Sequence, residues 1–151
     1  MATRPPQRRA KDFKPGRVTG WPPNTSAETI RSLANAVTYG ADGKHKDYPA
    51  PNGEWDNRFR FEGTKCPRVP VARWPDLTAA LSQALRDGVI QWDERCITYP
   101  ARAWVRLDDR LCEARLTNPA AGSYHGFPLD YEEHYPRDPE GRLQAAPKVC
   151  L

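Results

Sequence analysis

RAWVRLDDRLCEARLTNPAAGSYHGFPL, residues 102–129, is the stretch that decides the fold. Alternation runs through it. Ala103, Val105 and Leu107 fall on one side of one extended segment, and Cys112, Ala114 and Leu116 fall on one side of the next. Strand side chains alternate between faces with period two, so the pattern reads as two strands with a smooth face. Asp108-Asp109 between them has the length of a tight hairpin turn. That register sets Val105 opposite Cys112 and Ala103 opposite Ala114. A turn over 118–122 leads to a third strand over 123–129, and the sheet is expected to begin near Ile97.

The other face of this meander gathers the chemistry. It carries Trp104 and Arg106 from one strand, and Leu111, Glu113 and Arg115 from the next. The third strand adds Tyr124 and His125, which point to opposite faces unless Gly126 allows a bulge. A carboxylate beside guanidiniums and an imidazole suits proton transfer next to a bound phosphate, because arginine grips phosphate oxygens in bidentate fashion. The same pattern also arises from a cross-strand ion pair and a surface histidine on a wetted sheet, and both readings stand open.

Upstream, Thr25-Ser26-Ala27-Glu28 fits a capping box with Thr25 at its head. Ile30, Leu33, Ala34 and Val37 then follow at helical spacing, which predicts a helix over 26–38 stopped by Gly40. A second helix is expected from Pro75-Asp76, with Leu77, Ala80, Leu81, Ala84 and Leu85 as its apolar stripe and Gly88 as its end. Residues 89–95 read as a bridge to the sheet. Residues 40–72 are rich in glycine and proline, with one short edge strand at 58–61. Within this loop, Lys44-His45-Lys46 sets an imidazole between two cations.

Together these elements predict an α+β domain over 21–130: two helices on the smooth face of a small antiparallel meander, joined by long proline-rich loops. A flexible basic arm is expected over 1–20, where six cations stand against Asp12, and an acidic proline-rich tail over 131–151. The length of 151 residues suits one domain, and the net charge of +4 favours an anionic partner. Cys66, Cys96, Cys112 and Cys150 show no metal-ligand spacing, and no segment has the apolar length of a membrane span. The expectation is a cytoplasmic protein with reduced thiols, no cofactor and no metal. No phosphate-binding glycine loop, zinc-protease motif or nucleophile elbow occurs.

Helices followed by a meander bearing Arg106, Glu113, Arg115, Tyr124 and His125, with the loop Lys44-His45-Lys46, resemble the small bacterial ribonuclease toxins of the RelE and colicin-D type. The resemblance is one of architecture and residue type over roughly residues 25–129. It implies metal-independent RNA cleavage in which the ribose 2′-hydroxyl attacks its own phosphate. His125 or Glu113 would be the base and His45 the acid. Lys44, Lys46, Arg106 and Arg115 would hold phosphate, and Trp104 and Tyr124 would stack a base. The partners implied are RNA, ahead of DNA, and a cognate inhibitor protein. Two other classes stay open: a non-catalytic nucleic-acid-binding module, and a protein-interaction partner such as an antitoxin, immunity or phage accessory protein.

Overall fold

A computed structural model describes residues 14–40 and 71–150. The Lys44-His45-Lys46 loop and the edge strand expected at 58–61 lie outside the described residues. Those residues form two helices, α1 (Ala27–Ala36) and α2 (Trp74–Asp87), and strands β1 (Thr38–Tyr39), β2 (Ile90–Gln91), β3 (Arg102–Leu107), β4 (Arg110–Asn118), β5 (Ser123–Pro128) and β6 (Lys148–Val149).

The central hairpin is the one the alternation predicts. Val105 pairs with Cys112 and Ala103 with Ala114. Asp108 takes the left-handed conformation at φ 53°, which a short polar side chain tolerates in a two-residue turn. The sheet around this hairpin is mixed, which corrects the simple antiparallel meander. Its order is β1-β5-β4-β3-β2, and β6 also pairs with β3. The β1–β5 and β3–β6 pairs are parallel. The sheet does not begin at Ile97 either: β2 occupies Ile90–Gln91, and Ile97 stands on a loop at 91% exposure.

Both helices have the expected faces but different details. Ser26, not Thr25, caps α1, its Oγ accepting the Thr29 amide at 3.1 Å. The helix ends at Ala36 rather than at residue 38, because Val37 turns extended and Thr38 and Tyr39 join the sheet edge. Their amide neighbours find sheet partners there: Thr38 donates to the Gly122 carbonyl at 3.0 Å and Gly40 to the Tyr124 carbonyl at 2.8 Å. In α2 the stripe Leu77, Ala80, Leu81, Ala84 and Leu85 is buried, and Gly88 closes the helix at φ 73°. Leu77 and Leu81 line one small hollow together with Val105, Leu107, Cys112 and Ala114, so the smooth face lies under α2 as expected. Arg86 of α2 bonds Asn35 of α1 and ties the two helices together.

The reverse face of the sheet is also covered. Residues 14–20 cross it, and Val18 is 1% exposed. The Val18 amide donates to Arg137 at 2.7 Å, the Arg137 amide to Gly16 at 2.9 Å, and the Thr19 amide to Ile90 at 2.9 Å. Gly16 makes this crossing sterically feasible: a Cβ there would stand 2.8 Å from Cζ2 of Trp104. The arm expected over 1–20 is therefore part of the fold from residue 14 on. The tail expected over 131–151 contributes too, since β6 extends the sheet beside β3.

Candidate anion-binding site

The site grows from register. Gln91, Arg102, Arg115 and His125 are successive cross-strand partners on β2, β3, β4 and β5, so they form one row on the covered face. The next row holds Trp104, Glu113 and Phe127. His125 thus shares a face with Arg115 and Glu113, while Tyr124 points the other way beside Leu116.

Glu113 is the electrostatic centre, and it is fully buried. Arg115 Nε donates to Oε2 at 2.6 Å, Arg102 Nη1 to both oxygens at 3.3 Å, and Trp104 Nε1 to Oε1 at 3.2 Å. Burial pushes the Arg102 guanidinium below its ordinary value, and the Glu113 carboxylate opposes that shift. The Arg115 guanidinium also lies over the Phe127 ring, 5.0 Å from its centroid. Two guanidiniums converge on this one carboxylate. Glu113 itself has no approach to solvent, so this geometry gives a substrate no route to it as a base.

The other expected site residues are dispersed. Trp104 and Tyr124 are 0% and 1% exposed, so neither ring is open to stack on a base. The Tyr124 hydroxyl is spent on the Pro100 carbonyl at 2.6 Å. His125 is half-buried, and its Nδ1 lies 2.7 Å from Thr117 Oγ1. Arg106 stands four residues from Arg102 along β3, roughly 13 Å, next to Lys148 of β6. It does not join Arg115 in one clamp. Lys44, His45 and Lys46 lie outside the described residues. Among the described residues no cluster of His, Cys, Asp and Glu could hold a metal ion, and no helix is long and apolar enough to cross a membrane.

Three cations lie outside the site expected from the sequence: Arg102, and Arg17 and Arg137, which the charge count places apart in the basic arm and the acidic tail. Arg102 shares the period-two parity of Trp104 and Arg106, and that signal was there to find. Arg17 and Arg137 carry no such signal, because only the fold makes them neighbours in a parallel bridge. Both are exposed, and neither forms an ion pair among the described residues. Lys14 lies at the same end, its carbonyl accepting from Arg102 at 3.1 Å. The Arg17 amide in turn donates to Gln91 Oε1 at 2.8 Å, the first member of the row.

The charge balance sharpens the picture. Residues 14–40 and 71–150 carry thirteen Lys and Arg against thirteen Asp and Glu. The whole excess of +4 belongs to 1–13 and 41–70. The first of these segments, with Arg4, Arg8, Arg9 and Lys11, enters the fold at Lys14, beside Arg17 and Arg102. No family model matches this sequence, and no curated protein or solved structure does.

Proposed function

We propose that this protein is a nucleic-acid-binding module that holds a phosphate backbone between its basic amino-terminal segment and the Arg17–Arg137 edge, with RNA as the preferred ligand. The observation that carries the reading is the Arg17–Arg137 bridge. Two exposed cations carried side by side on paired backbone segments repel each other, and an anion between them relieves that repulsion. Arg102, Arg115 and Lys14 adjoin the same end, and residues 1–13 add three net positive charges immediately before it. What favours holding over cleaving is the burial of Glu113, which removes one of the two residues that could serve as the base in the cleavage scheme and leaves only His125.

The test is fluorescence anisotropy with a labelled single-stranded RNA over a salt series. Affinity should fall linearly on a log–log plot, by roughly 0.7 in slope for each phosphate contacted. Arg17→Glu with Arg137→Glu, and separately removal of residues 1–13, should each weaken binding and flatten the slope. Salt-independent binding, or none, overturns the reading. RNA incubated with the protein in chelator should stay intact. Cleavage that disappears in His125→Ala would restore the ribonuclease reading instead.

A further inference from the structure

Around the Arg17–Arg137 bridge, burial alternates along both segments. His134 and Pro136 are buried while Tyr135 and Arg137 are exposed, and Gly16 and Val18 are buried while Arg17 is exposed. Tyr135 and Arg137 therefore share the outward side of one extended run, with Cα atoms at most about 7 Å apart. Tyr135 is 41% exposed, and its ring and hydroxyl have no partner among the described residues. The backbone that carries it is held on both sides. The Tyr135 amide donates to the Glu132 carbonyl at 3.0 Å, and the Arg137 amide to the Gly16 carbonyl at 2.9 Å. An aromatic ring on a pinned backbone gives up little freedom when something stacks on it.

The local charges divide at this ring. Before it in the chain stand Glu132 and Glu133, exposed and without an ion pair among the described residues. After it stands Arg137, with Arg17 across the bridge. The other carboxylates of this tail are engaged. Asp130 pairs with Arg110 and Glu140 with Arg142, while Asp138 accepts the Arg142 and Leu143 amides at 2.8 and 2.9 Å. An anionic chain is thereby drawn to the arginines and turned away from the glutamates. Tyr135 lies at the boundary, where an uncharged flat group next to the anion belongs. A nucleic acid joins a phosphate to such a ring in every repeat, and in a single strand those rings are open to stack on a protein aromatic. In a duplex they are stacked on one another.

We infer that Tyr135 stacks a base of a single-stranded RNA whose adjacent phosphate lies at Arg17 and Arg137. This rests on the phosphate-holding role proposed above for those two residues, and it names the form of nucleic acid the edge takes: a single strand, held without regard to sequence because every base has a stacking face.

Anisotropy on the full chain with a labelled oligouridylate, and with the same strand annealed to its complement, tests it. The single strand should bind more tightly than the duplex. Tyr135→Ala should weaken single-strand binding roughly tenfold, the loss of one stacked base. The salt slope should stay unchanged, since no charge is removed. Tyr135→Trp should keep the affinity. Inorganic polyphosphate has phosphates but no rings, so calorimetry should show it binding wild type and Tyr135→Ala equally. The ring lies on the surface, so far-UV circular dichroism and the melting temperature should not move. Tyr131→Ala is the matched control. Tyr131 is 46% exposed, but it lies beyond the two glutamates with its ring against His134 at 5.2 Å, and its loss should leave affinity nearly unchanged. Salt-dependent binding that ignores Tyr135→Ala overturns the stacking and leaves the phosphate reading standing. Equal losses in Tyr131→Ala, or a duplex bound as tightly as the single strand, overturn it in the same way. No binding of any RNA overturns the phosphate reading and the stacking together.

Discussion

Trp104 Nε1 donates a 3.2 Å hydrogen bond to the Glu113 carboxylate directly across the β3–β4 ladder, and both residues are fully buried. A carboxylate in that position must be satisfied by neighbours rather than by water. Trp104, Arg102 and Arg115 provide that satisfaction, and the segment 14–18 completes the seal. The group that looks most catalytic in the sequence is therefore a buried structural ion on the covered face of the sheet.

Removing its charge should be expensive. Glu113→Gln leaves Arg102 and Arg115 without their shared counter-ion, and Arg102 is only 15% exposed. A loss of about 3–5 kcal/mol is expected from breaking a buried pair on one side. Urea unfolding of the purified variant measures it. A loss below roughly 1 kcal/mol would mean that the pair is hydrated in solution.

Gly16 should tolerate no side chain. Gly16→Val drives a branched carbon into Trp104 and Gln91, since even a Cβ on Gly16 would stand 2.8 Å from Trp104 Cζ2 and from Gln91 Oε1. Either the indole shifts or residues 14–20 lift away, at an expected cost of about 1–3 kcal/mol. Thermal unfolding gives the cost, and a red shift of tryptophan emission would report the exposed indole.

Arg17→Gln should separate stability from binding. It removes one of the two like charges that the backbone bridge to Arg137 sets side by side, so the free protein should gain a few tenths of a kcal/mol. RNA affinity should fall at the same time. Melting temperature and anisotropy on the same preparation check both signs, and a loss of stability would contradict the bridge geometry.

Alkaline pH should loosen the fold through Cys112. Burial pushes its thiol up to about 12 from an ordinary value near 9. The folded state then holds this proton more tightly than the unfolded chain. The contribution is complete below about pH 9 and is lost as pH rises toward 12, at up to about 1.4 kcal/mol per pH unit. Burial raises the Tyr124 phenol as well, in the same direction. Cys112→Ala should flatten the decline of stability over that window. Under native conditions iodoacetamide should label exposed Cys150 and leave Cys112 untouched, as peptide mass analysis can show.

How far the sequence could be read follows from the range of the interactions. The β3–β4 hairpin and the stripe of α2 are local, set by alternation and helical spacing, and both appear in the register and burial expected of them. β1, β2 and β6 are two residues long. They carry no pattern of their own and exist because β5 and β3 offer them partners, distant in the chain for β1 and β6 and nearer for β2. The site suffered in the same way. Parity placed Trp104, Arg115 and Glu113 on one face correctly, but it carries no information on what covers a face. Residues 14–20 do the covering, and their composition reads as a solvated tail because exposed Lys14 and Arg17 flank Gly16 and precede buried Val18.

The Arg17–Arg137 bridge also bears on how the chain acquires its shape. Its two halves are a hundred and twenty residues apart, and β1 must wait for β5 in a similar way. Such distant pairings close late and slow the search for the native state. During synthesis the helices and the central hairpin can gather first, while Trp104 and Glu113 stay unroofed until the residues around Arg137 have left the ribosome. For that interval the nascent chain presents a bare indole and an unshielded sheet face, the state most in need of chaperone protection.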